Sequence, residues 1–380
     1  MTLIFWLCLL LLGYVYAGYP ICVWLLSLVR PWPLRRPEGE YLPTVTVLIA
    51  AYNEAEHIEL TVRNKLEQDY PPEKLDVIVV SDESDDGTDA IVAGIGDPRV
   101  QLVRQEPRAG KTSGLNLIAP RARGEVLVTS DANSFYARDT VRELVQPLAD
   151  PAVGYVTGRM LYRAPDGSAT GEGCSTYMRY ENQLRAWETR LGSIVGVDGG
   201  VDAIRAAVWE PMRPDQLPDF VEPLTVREKG YRVVYQPTAR LYEDALADTG
   251  DEFRMRVRVS LRAWWALKDK AALLSLPRFG LFAWQLWSHK VLRYLAPVFQ
   301  AGVLLSNLVL AGGGGDGWGT LLVLQVLFYG VVGAAHGLRD RDLPGPVTAA
   351  YYLCLVNLAS GVALVQFLQG KKKVTWTPRT

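Results

Sequence analysis

The chain has 380 residues, a formal net charge of -1 and a mean hydropathy of +0.06, and 49% of its residues are hydrophobic. These averages hide four stretches without a charged residue, each long enough to reach across a bilayer core: 3–29, 294–311, 317–338 and 344–370. The pattern excludes a wholly soluble enzyme and a disordered chain, and the balanced charge excludes a nucleic-acid binder recruited by bulk basicity.

The first apolar stretch predicts an N-terminal transmembrane helix over residues 1–29. It is long for a cleaved leader, lacks a basic start, and is followed by Arg30, Arg35 and Arg36. Basic residues collect on the cytoplasmic side of membrane helices, so the segment 30–270 is expected to be cytoplasmic. We therefore expect a multi-pass protein of the cell membrane.

The segment after this helix alternates between two kinds of pattern. Short β-branched, apolar runs predict buried strands, and the stretches between them predict helices. The predicted strands are 44–51, 75–80, 100–104 and 125–129, and the predicted helices are 56–68, 89–95 and 113–121. This alternation is typical of an α/β domain with a parallel sheet.

Polar residues follow three of these strands: 52–54, Asp82 and 131–133. Because open α/β sheets bind ligands beyond the carboxyl ends of their strands, we expect these groups to share one crevice. The first turn lacks the glycines of a dinucleotide-binding fold. Gly110-Lys111-Thr112 lacks the earlier glycine of a phosphate-binding loop.

Asp131 and Asn133 stand two positions apart at a predicted strand end. Two oxygen ligands in this arrangement can hold a divalent metal that bridges a diphosphate, since hard cations prefer oxygen and share substrate phosphates. The alternative is an ordinary turn, because Asp and Asn are common turn residues.

Five motifs occur in one order over about 200 residues. They are V-L-I-A-A-Y-N-E (47–54), V-V-S-D (79–82), G-K-T-S-G-L-N (110–116), S-D-A-N-S (130–134), and D-F-V-E-P-L (219–224) with G-Y-R-V-V-Y-Q-P (230–237). Together they resemble the membrane-embedded family 2 glycosyltransferases. That family includes cellulose, chitin, hyaluronan and poly-N-acetylglucosamine synthases and carries an α/β GT-A (nucleotide-diphospho-sugar transferase) domain.

The resemblance implies roles in holding the nucleotide. Asp82 stands where the family's aspartate recognises uracil, and Tyr52 and Glu54 stand at the floor of the nucleoside site. Lys111 is expected near the nucleotide. Asp131 matches the first aspartate of the family's D-x-D motif, which holds Mg²⁺ or Mn²⁺, and Asn133 replaces the second.

Asp219 matches the general base that deprotonates the acceptor hydroxyl. Its alternative is a helix N-cap before a helical stretch at 220–229. The family's Q-x-x-R-W signature aligns best at 255–259, where only Arg258 remains, and Arg258 is expected at the diphosphate. A second register uses Arg262.

The residues that follow predict a membrane region at 271–370. A helix over 276–289 is expected to lie in the interface, with His289 reaching toward the lipid headgroups. Trp264 and Trp265 are expected either to stack on an acceptor sugar or to belong to an interfacial aromatic belt.

The last apolar stretch, 344–370, decides on which side of the membrane the C-terminal tail lies. Residues 344–370 are expected to be re-entrant or interfacial, because three full crossings would place the basic tail 371–380 outside. Trp376 and Arg379 in that tail resemble the family's gating loop, which closes over the bound nucleotide on the cytoplasmic face.

The resemblance implies an inverting, metal-dependent, processive enzyme that polymerises sugar from a nucleotide sugar, with a UDP-sugar as the expected donor, and that exports the glycan. Two alternatives remain: a non-processive transferase acting on a lipid acceptor, and a silent GT-A subunit of an export complex. The expected partners are the donor, a growing glycan or lipid acceptor, and membrane lipids.

Overall fold

The computed structural model of the chain contains an eight-stranded mixed sheet, with apolar helices before and after it in the sequence. The structure describes residues 1–35, 39–163, 169–244, 249–314, 317–339 and 343–372. The strands are β1 Val45–Ala51, β2 Leu75–Ser81, β3 Val100–Arg104, β4 Val126–Asp131, β5 Phe135–Tyr136, β6 Val153–Arg163, β7 Asp202–Arg205 and β8 Arg232–Asp244. Their order across the sheet is β3-β2-β1-β4-β7-β6-β8-β5.

The helices range from three to 24 residues in length. They are α1 Thr2–Gly13, α2 Tyr19–Val29, α3 Ile58–Leu66, α4 Thr88–Gly94, α5 Lys111–Ile118, α6 Thr140–Val145, α7 Ala169–Leu191, α8 Pro218–Glu228, α9 Thr249–Asp269, α10 Leu276–Leu286, α11 Leu292–Tyr294, α12 Ala296–Gly312, α13 Trp318–Gly337 and α14 Gly345–Leu368. A π-helical turn joins α1 to α2 at Tyr14–Gly18, and another joins α10 to α11 at Trp287–Val291.

The four predicted strands are confirmed and form the parallel half of the sheet, in which β1 pairs with both β2 and β4. Every residue of β1 is buried, with Val45, Val47 and Ile49 in the core on one face and Leu48 and Ala50 in the core on the other. Successive side chains point to opposite faces, so a strand covered on both sides must be apolar throughout.

The second half of the sheet departs from the parallel pattern. β7 is only four residues long and runs antiparallel to both β4 and β6. This strand carries the chain back beside β4, so the loops around β7 and the end of β4 face the same crevice.

Within the described residues, three helical regions are long and apolar enough to cross a membrane: Thr2–Val29, Trp318–Gly337 and Gly345–Leu368. A fourth candidate is the pair Leu276–Tyr294 and Ala296–Gly312, bent by 56° at its junction. Helix α1 packs closely on α12: a Cβ added to Gly302 of α12 would lie 2.6 Å from Sγ of Cys8 in α1.

α14 is one unbroken helix, so the expectation that residues 344–370 are re-entrant is wrong, whereas the interfacial alternative stays a prediction. The helix lies alongside α9: the Tyr352 hydroxyl donates to Glu252 at 2.5 Å, and Ala359 and Ala363 pack with Val257 and Leu261. An apolar helix is thereby fixed against the domain that carries the sheet.

Candidate active site

A cavity of about 310 Å³ opens between the carboxyl ends of the strands, α8, α9, and the helices α11 and α14 of the predicted membrane region (the membrane-side helices). Six of the residues expected from the sequence line it together: Glu54, Lys111, Asp131, Asn133, Asp219 and Arg258. Its far wall is formed by residues of α7, the second π-helical turn, α11 and α14. The cavity therefore connects the sheet crevice with the apolar helices.

Lys111 links the two acidic residues at the centre of this cavity. Its Nζ lies 2.6 Å from Oδ1 of Asp131 and 3.6 Å from Oδ1 of Asp219. Burial alone would lower the pKa of Lys111, but the two carboxylates outweigh burial and raise it above its ordinary value. Lys111 is thus held as a cation between a strand end and a helix start.

Asp219 lies in the first turn of α8, where Leu217 occupies the N-cap position. No side-chain capping bond is present at this helix start, so the N-cap alternative is wrong. Gly199, with φ of +83°, allows close approach: a Cβ there would stand 2.6 Å from Cγ of Asp219. Burial raises the pKa of Asp219, although Lys111 opposes this, and a raised carboxyl pKa suits a general base near neutral pH.

The residues at the end of β4 fit a divalent cation. Asp131 and Asn133 are both partly exposed and line the cavity, and Glu243 is a third oxygen side chain in its wall. A Cβ on Gly200 would stand 3.4 Å from Oδ2 of Asp131, so the glycine keeps this approach open. No group of three or more His, Cys, Asp or Glu residues converges within the described ranges, and donor phosphate oxygens would complete the shell.

Asp82 is buried, with 1% of its surface exposed, and does not line the cavity. Its carboxylate accepts hydrogen bonds from the backbone N–H of Ala109 at 2.8 Å and Gly110 at 2.9 Å, and from the Gln105 amide. Gly110 has a φ of +91° and precedes α5. Asp82 therefore fixes the loop that delivers Lys111.

Tyr52 also stands outside the cavity lining, and Arg108 covers its ring. The guanidinium carbon lies 3.4 Å from the ring centroid, and Nε lies 3.7 Å from Oδ2 of Asp82. A planar cation on an aromatic face forms a favourable stack. Arg108 could not be predicted from the sequence, because its spacing does not indicate which ring it contacts.

Three arginines of α9 line the cavity. Arg258 and Arg262 are the residues that the two registers of the arginine signature indicate, and Arg256 is the third. Arg262 donates to the Gln216 carbonyl and lies 3.5 Å from the Thr112 hydroxyl. Burial lowers the pKa of Arg262 to about 10, while the nearby Asp219 charge opposes the shift.

Trp264 and Trp265 point toward α14 instead of the cavity. Trp264 stacks on Phe367 with ring centroids 5.7 Å apart, and Trp265 meets Phe367 edge-on at 4.9 Å. The indole N–H of Trp265 donates to the Lys371 carbonyl at 2.9 Å. The geometry does not favour acceptor stacking by these rings.

The start of the tail contacts the segment that leads into α8. Nζ of Lys372 lies 2.5 Å from Oδ2 of Asp215, four residues before Asp219. Trp376 and Arg379 lie outside the described residues, so the gating role assigned to them stays a prediction.

His289 is buried, with 2% of its surface exposed, so the expectation that it reaches toward lipid headgroups is wrong. Its Nδ1 lies 2.8 Å from Oε1 of Glu188, and its Nε2 lies 3.1 Å from Oε2 of Glu181. Arg293 donates to Glu181 at 2.5 Å, and the Tyr19 hydroxyl donates to Glu188 at 2.5 Å. This network ties α2, α7 and the second π-helical turn together.

Two further acids stand behind Asp219 and were missed in the sequence. Burial, and then the neighbouring Asp219 charge, raises the pKa of Asp202 to about 8. Burial, and then Asp202, raises the pKa of Glu222 to about 8. The raised pKa of both groups results from burial in the folded chain, which a sequence motif does not reveal.

Comparison with known proteins agrees with this geometry. Residues 46–198 match the family described as glycosyl transferase family 2. A poly-β-1,6-N-acetyl-D-glucosamine synthase of Staphylococcus aureus is 26% identical over 275 residues, which are 67% of this chain. The matched region spans 65% of that relative's length. A β-monoglucosyldiacylglycerol synthase of Trichormus variabilis is 27% identical over 180 residues, covering 46% of this chain and 38% of the relative.

A solved structure extends the likeness to nearly the whole chain. It is a mannosyltransferase from Pyrobaculum calidifontis in complex with GDP-Man and Mn²⁺, with a TM-score of 0.72 and 26% identity. The match covers 97% of this chain and 99% of that one. Together with the mixed sheet, these similarities show that residues 46–198 form a glycosyltransferase family 2 domain and that the chain has a GT-A-like fold.

Proposed function

We propose that the chain transfers a sugar, with inversion and with a divalent metal, from a nucleotide sugar to an acceptor hydroxyl presented at the membrane. One observation carries this proposal: Asp219, Lys111 and Asp131 meet in one cavity whose far wall consists of membrane-side helices. A base, a cation and a candidate metal ligand are the groups that this displacement needs.

In the proposed reaction, Asp219 accepts the proton of the acceptor hydroxyl. The acceptor oxygen forms a bond to the anomeric carbon as the bond from that carbon to the nucleoside diphosphate breaks. A single displacement of this kind inverts the configuration. Lys111 and the arginines of α9 offset the charge of the leaving group, and a Mg²⁺ or Mn²⁺ ion held by Asp131 and Asn133 would neutralise more of it.

The donor is the second part of the proposal. Asp82, Tyr52 and Glu54 are assigned to the nucleoside, with Asp82 acting in part through the loop that it fixes. A UDP-sugar is the first donor to test. GDP-mannose is the second, because the mannosyltransferase that matches nearly the whole chain was solved with GDP-Man.

The product has two candidates. A polymer agrees with the poly-N-acetylglucosamine synthase relative. Single transfer to a lipid agrees with the glycolipid synthase relative and with the closed end of the cavity. There the Tyr16 hydroxyl donates to Asn357 at 2.5 Å, and the Arg293 guanidinium lies 5.9 Å from the Tyr16 ring centroid. A glycan leaving between α14 and the N-terminal helices would have to separate these residues.

The test uses purified full-length protein in lipid nanodiscs with Mn²⁺ and one radiolabelled donor at a time. Labelled product is separated by size and by solubility in organic solvent. A ladder of long products supports polymerisation, and one lipid-soluble product supports single transfer. No transfer from any UDP-sugar or from GDP-mannose would leave the silent-subunit alternative in place of the enzyme.

A further inference from the structure

A second cavity, of about 260 Å³, lies beside α8, and no described residue lines both it and the active-site cavity. Most of its wall comes from residues within 208–216 and from α8, which contributes Glu222. Glu210 and Arg213 in that wall are exposed, so the second cavity opens to solvent. The same helix therefore carries the proposed base, Asp219, in one cavity and Glu222, three residues later, in the other.

The face of α8 that carries Asp219 and Glu222 is turned toward the sheet. Asp219, Glu222 and Val226 share this face, since positions three and four apart in a helix are neighbours. Val226 packs in one core cluster with Ile204 of β7. Asp202 stands two residues before Ile204, and alternate residues of a strand point to the same side of a sheet. The Asp202 carboxyl therefore lies on the side of the sheet that α8 covers.

Buried polar atoms without a hydrogen-bond partner collect at this place. Asp202 and Glu222 are only 2% and 3% exposed. Within the described part of the chain, neither carboxylate oxygen of Asp202 has a partner at hydrogen-bonding geometry, and Oε1 of Glu222 has none either. The Thr157 hydroxyl, opposite Asp202 in the β6–β7 pair, opposes the raised pKa of Asp202 but also lacks such a partner. Unpaired buried acids cost stability, so their presence favours a functional role over a structural one.

The three acids also act on one another electrostatically. Burial is the largest cause of the raised pKa of Asp202 and of Glu222, and the next cause is Asp219 for the first and Asp202 for the second. Asp198 adds to the shift in the pKa of Asp202, and Lys111 opposes the shift at both acids. Both acids therefore carry a proton at neutral pH. A protonated carboxyl can accept a proton on one oxygen while it releases one from the other.

We propose that Asp202 and Glu222 carry the proton of each transfer from Asp219 to the second cavity. The inference rests on the proposed function, in which Asp219 takes a proton from the acceptor hydroxyl as the sugar moves to the acceptor oxygen and the nucleoside diphosphate leaves. Asp219 then gives that proton to Asp202, Asp202 gives one to Glu222, and Glu222 gives one to water in the second cavity. Each acid ends in the state in which it began, and one proton leaves for each sugar transferred. The base is thereby restored while the products still fill the active-site cavity.

The test measures transfer by the full-length protein in lipid nanodiscs, once with enzyme in excess over donor and once through many turnovers. The first turnover needs only an ionised Asp219, whereas later turnovers need Asp219 to lose its proton. Glu222→Gln and Asp202→Asn keep the size and neutrality of the protonated acids but cannot pass a proton on. Each should leave the single-turnover rate unchanged and lower the multiple-turnover rate roughly tenfold, less than the loss of 10²-fold or more expected without the base itself.

The matched control is Glu228→Gln, the same change on α8 at a carboxylate that pairs with Lys270 and lies outside both cavity linings. It should change neither rate. Imidazole, a small base that can enter the second cavity, should restore turnover of Glu222→Gln, because it takes the proton from Asp202, and should not restore Asp202→Asn. The double variant should turn over no more slowly than the slower single variant, because either change breaks the same series of steps.

Two results would overturn the relay and leave the proposed function standing. One is an equal loss of the single- and multiple-turnover rates in both variants, which would give Asp202 and Glu222 a structural role. The other is a multiple-turnover rate equal to that of the parent in both variants. A parent chain that transfers no sugar from any donor would instead refute the proposed function, and the relay with it.

Discussion

At the scale of single residues, Asp219 is the group whose replacement says most about the chemistry. Asp219→Asn keeps the size of the side chain, and no capping bond is lost with the carboxylate. We expect sugar transfer to fall by roughly 10²- to 10⁴-fold, the usual cost of removing a general base. Binding of the nucleoside diphosphate, measured by calorimetry, should change little.

The matched control is Asp215→Asn, the same substitution four residues earlier, where the carboxylate pairs with Lys372 and Arg213 outside the cavity lining. This variant should keep most of the activity. Full activity of Asp219→Asn would show that Asp219 is not the base.

The metal assignment gives a second prediction. EDTA and, separately, Asp131→Ala should abolish transfer, because one carboxylate and one amide are the proposed protein ligands. Asn133→Asp should lower the Mn²⁺ concentration needed for half-maximal rate, since hard cations favour carboxylates. Transfer that persists in chelator, measured with the same donor, would refute the metal proposal.

The buried acids behind Asp219 predict how stability depends on pH. Asp202 and Glu222 have pKa values of about 8 in the folded chain, whereas unfolded carboxyl groups titrate near pH ~4. Between these values the unfolded chain ionises both groups while the folded chain keeps them protonated, so their contribution to stability falls as pH rises from about 4 to about 8.

Asp202→Asn removes one of these titrations. The thermal midpoint of the variant relative to the parent should therefore rise between about pH 5 and pH 8. Asp215→Asn serves again as control: hydrogen bonding to Lys372 and the charge of Arg213 outweigh burial and lower the pKa of Asp215, so its contribution is constant over this range. A difference between Asp202→Asn and parent that does not vary with pH would contradict the buried-acid interpretation.

Much of the site could be predicted because its residues stand in local motifs. Glu54, Lys111, Asp131 and Asn133 follow or precede buried strands, and the sheet then brings them to one edge. Asp202 and Glu222 could not be found in this way. The raised pKa of each depends on burial and on a charged neighbour more than fifteen residues away, and no local spacing encodes either.

At the scale of elements, the parallel strands β1 to β4 were predictable and the antiparallel β7 was not. β1 has seven consecutive apolar or β-branched residues covered on both faces, which is a strong local pattern. β7 has four residues, D-A-I-R, and exists because it pairs with both β4 and β6. Pairing with β4 and β6 makes these four residues a strand and also places Asp202.

The packing of α14 on α9 gives a prediction at this scale. Ala359 and Ala363 are fully buried against Val257 and Leu261, so the two helices approach closely. Ala359→Leu should overpack the contact, cost about 1–3 kcal/mol and lower the thermal midpoint in detergent. Val365→Leu enlarges an exposed side chain of the same helix and should leave the midpoint unchanged. Equal thermal midpoints for the two variants would mean that packing of α14 on α9 does not contribute to stability.

At the scale of the whole molecule, the chain joins a nucleotide-sugar site to apolar helices through one cavity. The sheet supplies Asp131 and Lys111, α8 supplies Asp219, and α11 and α14 close the far wall. The proposed function depends on this connection, because an acceptor held at the membrane has to reach Asp219 through the cavity.

The tail tests this connection, because residue 372 contacts Asp215 of the catalytic domain. We propose that residues 374–380, with Trp376 and Arg379, continue from this contact on the side of the membrane where the nucleotide binds and reach the diphosphate. Removing 374–380 should lower transfer and leave the thermal midpoint nearly unchanged, since closing a site excludes water and completes the charges around the leaving group. A cysteine introduced at Thr380 should resist an impermeant thiol reagent in intact cells and react after permeabilisation. Labelling in intact cells would place the tail outside and refute the gating role, whereas protection together with full activity of the truncated chain would keep the topology and remove the gate.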